Sequence, residues 1–115
     1  MAEELGHILR IIRRYVIELQ KQRIIVSKAY LYGSFAKGHP NEFSDIDLAL
    51  ISEDFTGDWF EDRRRIVPLR REIDERLEPM PFLHKDFHQG NPLAADIMEH
   101  GIEIELDAVK ISDSG

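Results

Sequence analysis

Two short stretches of the 115-residue chain decide its fold: residues 30–38, YLYGSFAKG, and residues 44–52, SDIDLALIS. The first leads an apolar run into Gly33, which predicts a strand that ends there. A single helical turn over residues 35–37, ended by Gly38, is expected to follow. The second stretch alternates polar and apolar residues and then becomes apolar throughout, which is typical of a central strand with one end in solvent.

The polar groups of this region have complementary chemistry. Glycine at position 33 lets a ligand approach the backbone closely, and the free N–H groups of the turn, with the Ser34 hydroxyl, form an anion-binding corner beside Lys37. Asp45 and Asp47 lie two apart in a strand, so both carboxylates face one side and repel each other unless a cation intervenes. Either motif alone is usually a turn or a solvated strand end. Together, within 19 residues, they are what a magnesium–triphosphate complex requires.

The length and composition of the chain limit the classes of function that it can have. We expect one domain over residues 1–109 and a flexible tail over residues 110–115. The chain has no cysteine, which excludes disulfides, thiolate zinc sites and a cysteine nucleophile and is compatible with the cytoplasm. Its net charge of −7 argues against binding of bulk duplex DNA and predicts oxygen ligands for any metal. No apolar run is long enough for a membrane span, and no secretory leader is expected at the N-terminus.

The remaining segments predict an α+β fold: a small, twisted, mixed sheet with helices packed mainly on one face and the site at an open sheet end. Pro68 should kink the second long helix or mark a helix start near it, and Pro79 and Pro81 indicate an edge strand. The predicted elements are a helix over residues 5–19, a strand within 24–32, a helix over 59–74, an edge strand around 79–81, a helix from 92 to 100 and a half-exposed strand over 102–107.

Two apolar clusters and one basic run are also interpreted from spacing. Leu93, Ile97 and Met98 should form the buried face of the last helix. Phe55, Trp59 and Phe60 should pack in the core rather than serve as a base-stacking platform. The basic run 63–65 is interleaved with acidic residues, which favours a salt-bridged helix face over a nucleic-acid contact.

Residues 33–38, GSFAKG, followed by residues 44–48, SDIDL, resemble the signature of the polymerase-beta-like nucleotidyltransferase superfamily. The chain length, together with residues 91–93 and 101–104, is similar to its smallest branch, the minimal nucleotidyltransferase (MNT) domain proteins. The resemblance covers roughly residues 25–106. Lys37 stands where many members have arginine, so the charge is kept but the bidentate fork is lost.

The resemblance implies a two-metal transfer of a nucleotidyl group from a nucleoside triphosphate, most simply AMP from ATP. Asp45 and Asp47 would hold two Mg²⁺ ions, for which Mn²⁺ is an alternative. Gly33 and Ser34, with Lys37, would hold the triphosphate tail.

A third carboxylate, on the strand after the second helix, should complete the metal site and help to deprotonate the acceptor hydroxyl. Glu78 matches the expected position best, Asp74 is the second choice and Asp86 the third. The sequence leaves this choice open.

The resemblance also implies a partner. Minimal members are often paired with a helical HEPN-domain toxin, and some adenylylate a tyrosine on it, which makes a protein hydroxyl the expected acceptor and antitoxin the expected role. Two alternatives remain: a catalytically idle antitoxin that neutralises its partner by binding, and a stand-alone transferase acting on an aminoglycoside-type small molecule. A homo-oligomer is compatible with the sequence.

Overall fold

The structure, a computed structural model, describes residues 2–38 and 45–106, with side chains from Leu5 onward. Its elements, in chain order, are α1 (Ala2–Lys21), β1 (Lys28–Tyr32), α2 (Ser34–Lys37), β2 (Ile46–Ile51), α3 (Trp59–Ile66), a 3₁₀ helix (Val67–Glu72), β3 (Leu77–Phe82), a 3₁₀ turn (His84–Asp86), α4 (Pro92–His100) and β4 (Ile102–Glu103). The predicted α+β class is confirmed. The expected tail at 110–115 lies outside the described residues. In the described ranges, no helix is long and apolar enough to cross a bilayer.

The four strands form one mixed sheet in the order β3-β2-β1-β4. β2 is antiparallel to β1 and parallel to β3, and β4 is antiparallel to β1. The parallel pair needs a crossover, which α3 and the 3₁₀ helix supply. β3 lies at an edge, as Pro79 and Pro81 predict, because proline cannot donate to a second neighbouring strand.

One face of the sheet packs against α1, α3 and the 3₁₀ helix. The apolar stripe predicted for α1 is buried there, together with inward residues of β1, β2 and β3. The Tyr15 hydroxyl donates to the Ile66 carbonyl at 2.6 Å and so ties α1 to the end of α3. Of the two outcomes expected at Pro68, the helix start is what forms: α3 ends at Ile66 and a separate 3₁₀ helix begins at Val67, with Pro68 in its first turn. Helices thus lie mainly on this face, as predicted.

The opposite face is partly covered by α4. Asn91 caps this helix by accepting hydrogen bonds from the N–H groups of Leu93 (3.0 Å) and Ala94 (3.2 Å). Ala94 and Ile97 are buried against β1, β2 and β3. Leu93 was expected in the buried face but is 41% exposed, because the small Ala94 side chain takes the position closest to the sheet.

Two other predictions were wrong in part. Strand β4 has only two residues. Just beyond it, the N–H of Ile104 donates to the Ala29 carbonyl, and the Ile104 side chain packs in the core on the α1 side of the sheet. Phe55 is buried as expected, but Trp59 and Phe60 are exposed. The buried positions of α3 are residues 62 and 66, four apart, which leaves the aromatic pair of its first turn on the surface.

Candidate active site

The turn after β1 requires glycine. Gly33 has φ 72° and ψ −145°, a region essentially restricted to glycine, and α2 follows at once. Buried Phe35 holds this short helix on the sheet, and Gly38, in the left-handed region at φ 79°, ends it by donating to the Ser34 carbonyl. Lys37 is exposed at the end of α2. The predicted strand, turn and single helical turn are confirmed.

The backbone at Gly33 lies directly against the carboxylate of Asp47. The last residue of β1, Tyr32, is paired with Asp47 on β2. A Cβ at position 33 would lie 3.0 Å from Cγ of Asp47 and overlap its Oδ2. Glycine is therefore needed here for space as well as for conformation, and the turn and the second aspartate form one unit.

Glu78 lies beside Asp47 on the neighbouring parallel strand, because the register pairs the two residues. Both are partly buried. Burial raises the pKa of Asp47, and the nearby carboxylates of Asp45 and Glu78 raise it further. Two neighbouring carboxylates are thus close enough to disfavour the ionisation of Asp47, which is the condition that a bound cation relieves.

Two arginines from the crossover between β2 and β3 form ion pairs with Glu78. Nη2 of Arg63, in α3, lies 3.4 Å from Oε1, and Nη1 of Arg70, in the 3₁₀ helix, lies 3.4 Å from Oε2. Arg70 also donates to the Leu77 carbonyl at 2.8 Å. The sequence interpretation placed Arg63 on a salt-bridged helix face, and an ion pair is what forms, but with β3. The signal that could have found this contact is the crossover, which must bring α3 back over β3.

Tyr32 is a further residue of this site that the sequence interpretation did not single out. Burial and the carboxylates of Asp47 and Glu78 raise its pKa to about 12, against the opposing effect of Arg63. Its hydroxyl therefore stays protonated at neutral pH. The signal available in the sequence was its place as the last strand residue before Gly33.

The Polymerase beta, Nucleotidyltransferase family model matches residues 15–107. The chain belongs to this family. The matched residues include the Gly33–Ser34 turn, Asp45, Asp47 and Glu78. No curated protein matches the chain.

Solved structures agree on the fold. A candidate nucleotidyltransferase from Sulfolobus solfataricus superposes with a TM-score of 0.61 at 17% identity, covering 89% of this chain and 83% of that one. A toxin–antitoxin structure with AMP-PNP superposes with a TM-score of 0.57 at 18% identity, covering 86% and 78%. At such identities the likeness shows the nucleotidyltransferase architecture alone.

The two other candidates for the third carboxylate of this nucleotidyltransferase lie elsewhere. Asp74 precedes β3 and is bound by Arg76, with Nη2 to Oδ2 at 2.9 Å, and these hydrogen bonds lower its pKa. Asp86 follows β3 at the opposite end from Asp47. Of the three candidates, Glu78 alone is paired with Asp47 and acts on its pKa.

The donor set suits a hard divalent cation. All three groups at this position are carboxylates, which Mg²⁺ and Mn²⁺ accept as ligands. Burial and the neighbouring carboxylates raise the pKa of Asp47, and a bound cation would offset the repulsion between these charges. As the side chains stand in residues 2–38 and 45–106, no three acidic, histidine or cysteine residues are gathered as a metal cage. Glu78 is ion-paired with Arg63 and Arg70, and Asp45 and Asp47 are the other two residues that would hold a cation.

Proposed function

We propose that the chain is a magnesium-dependent nucleotidyltransferase that moves a nucleoside monophosphate, AMP from ATP, to a hydroxyl acceptor. The observation that carries the proposal is the placement of Asp47 between Gly33 and Glu78: the turn lies against its carboxylate and the third carboxylate is its strand partner. Membership of the nucleotidyltransferase family supports the reaction class.

Each residue then has one task. Asp45 and Asp47 would hold two Mg²⁺ ions, or Mn²⁺, and the Gly33–Ser34 turn with Lys37 would hold the β- and γ-phosphates. The cations, when bound, neutralise the negative oxygens around the α-phosphorus. Glu78 completes the acidic set and accepts the proton of the acceptor hydroxyl.

The reaction balances without a further reactant. The acceptor oxygen forms a bond to the α-phosphorus, and the bond from that phosphorus to the oxygen bridging to the β-phosphate breaks. Pyrophosphate leaves with the bonding electron pair, and the proton passes from the acceptor to Glu78 and on to solvent. The site would position the reactants and stabilise the negative charge of the transition state, which are the main contributions of a protein to phosphoryl transfer.

We propose a protein tyrosine on a helical HEPN-type toxin as the acceptor, so that the transfer silences the toxin and the chain acts as its antitoxin. The toxin–antitoxin structure with AMP-PNP, which shares the fold over 86% of this chain, supports this choice. The cytoplasm, where ATP and Mg²⁺ are abundant, is the proposed place of action.

One observation favours a second candidate, an idle antitoxin that acts by binding alone. Glu78 is engaged by Arg63 and Arg70, and no metal cage is already formed among the described residues. If these contacts persisted with nucleotide bound, the site would lack its third acidic ligand.

An assay with α-labelled ATP separates the two. The purified chain, Mg²⁺ and the helical protein encoded beside it are incubated, with an Asp45→Asn/Asp47→Asn double variant as control. Transfer predicts label on the partner that is lost with EDTA and in the double variant. Tight association without label would establish the idle antitoxin, and label that survives in the double variant would refute the proposed site.

A further inference from the structure

Two aromatic side chains lie on the surface at the start of α3. Trp59 is 50% exposed and Phe60 66% exposed. With Arg63, Arg64 and Val67 they line an open cavity of about 270 Å³, which we call the aromatic hollow. Neighbouring large aromatic residues left in water, beside arginines, have the composition of a protein-interaction surface.

The aromatic hollow is joined to the Glu78 end of the candidate active site. Arg63 lies over the Trp59 ring, 5.1 Å from its centroid, and reaches Glu78 with the same guanidinium. Nε1 of Trp59 donates to Sδ of Met80 at 3.0 Å, and Met80 follows Glu78 by two residues, on the same face of β3. Arg63 therefore contacts both Trp59 of the hollow and Glu78, and Trp59 contacts the same strand, β3, that carries Glu78.

The hollow is on the side where the acceptor would enter. Glu78 is on the edge strand β3, whereas the turn at Gly33 follows β1, the second strand away. If the turn holds the triphosphate tail and Glu78 takes the acceptor proton, the acceptor approaches over β3. This step rests on the proposed function.

We propose that the aromatic hollow is the docking surface for the acceptor-bearing segment of a protein partner, in which apolar and acidic side chains flank the reacting tyrosine. Phe60 and Val67 supply apolar area, and Arg63 and Arg64 supply positive charge on a chain whose net charge is −7. The ion pair of Arg64 with Glu61 is long, at 3.8 Å, and exposed, so it is weak and readily exchanged for a partner's carboxylate.

Trp59 is the single tryptophan of the chain, so its emission reports directly on the hollow. The probes are two synthetic peptides, each with one tyrosine flanked by leucine, one carrying glutamate and the other lysine. The expected result is a saturable blue shift with the glutamate peptide, little response to the lysine peptide, and none to ATP·Mg²⁺ alone. Phe60→Ala and Arg64→Glu should each weaken the peptide affinity about tenfold, whereas Ile25→Ala, at an exposed residue outside the hollow, should leave it unchanged.

Several results would overturn the proposal. A saturable response to ATP·Mg²⁺ alone would make the hollow a nucleobase platform, and a shift that depends on protein concentration without peptide would make it a contact between two copies. Equal affinity for both peptides, or no saturable response to either, would remove the acceptor assignment.

The same variants separate this proposal from the proposed function. In the labelled-ATP assay, Phe60→Ala should raise KM for the partner and leave kcat unchanged, because the residue lies outside the acidic set. Transfer that proceeds normally in Phe60→Ala and Arg64→Glu refutes the docking surface alone. Peptide binding without transfer by the unmodified chain refutes the transferase alone.

Discussion

Replacement of Gly33 by alanine tests the unit formed by the turn and Asp47. At φ 72° and ψ −145° an alanine is strained by about 1–3 kcal/mol, partly offset by the lower entropy of the unfolded chain. The new Cβ would also overlap Oδ2 of Asp47, so the carboxylate of Asp47 would have to move. A displacement of about 1 Å in a catalytic group costs on the order of a hundredfold in rate.

Gly38→Ala is the matched control. Gly38 ends the same short helix at a similar φ of 79°, so alanine there is strained by about 1–2 kcal/mol. Apart from its chain neighbours, none of the residues that the structure describes lies within 4 Å of its added Cβ, so the methyl group does not meet the carboxylates. The two substitutions share their chemistry and differ in what the methyl group meets.

Urea unfolding gives the stability of both variants, and the labelled-ATP assay gives their activity. We expect Gly33→Ala to lose roughly 1–3 kcal/mol of unfolding free energy and about a hundredfold in transfer. Gly38→Ala should lose a smaller or similar stability and retain near-normal transfer. If Gly33→Ala were as active as Gly38→Ala, Asp47 would not depend on the turn, and the reasoning would fail.

Three further predictions concern contacts that hold the scaffold. Tyr15→Phe removes the 2.6 Å hydrogen bond to the Ile66 carbonyl and should lower the free energy of unfolding by about 1–2 kcal/mol, with transfer unaffected; an unchanged urea midpoint would contradict this. Asp74 has a lowered pKa because Arg76 binds it, so its stabilising contribution is present above the unfolded pKa of about 4 and is lost as pH falls through the folded pKa. The difference in stability between the unmodified chain and Asp74→Asn should therefore be largest near neutral pH and shrink in acid; a constant difference would argue against the ion pair. Asn91→Ala should destabilise the chain by about 1 kcal/mol through loss of the α4 cap. Asn91→Ser, which keeps a capping oxygen but, like alanine, loses the Nδ2 hydrogen bond to the Asp86 carbonyl, should be the more stable of the two variants.

Much of the fold could be predicted from local patterns. The stripe of α1 repeats at helical spacing, and the change from alternation to a continuous apolar run in β2 predicted a central strand. β2 has a neighbour on each side, as β1 also does. The spacing of Asp45 and Asp47 predicted a shared face of one strand. Asp47 does lie in β2, but Asp45 precedes the strand, and the two remain close enough for Asp45 to raise the pKa of Asp47. These features are local, so the sequence carries them.

The contacts between distant elements could not be predicted in this way. Trp59 and Phe60 were predicted in the core from their aromatic character, but their exposure depends on how α3 is rotated against the sheet. The partners of Arg63 depend on the crossover geometry, which local pattern does not encode. The choice among three candidates for the third carboxylate likewise needed the pairing of Asp47 with Glu78, a statement about register.

Glu78→Gln provides the final prediction, because stability and activity should separate. Glutamine loses two ion pairs of 3.4 Å with Arg63 and Arg70, which are partly exposed and worth at most about 1 kcal/mol each. It also removes a negative charge that raises the pKa of Asp47, and this relief offsets the loss. The free energy of unfolding should therefore change by less than about 1 kcal/mol, while transfer should be abolished because glutamine neither accepts a proton nor binds a cation as a carboxylate does. Marked destabilisation in urea would mean that Glu78 serves the arginines and the scaffold, and full magnesium-dependent transfer would return the choice of the third carboxylate to its alternatives.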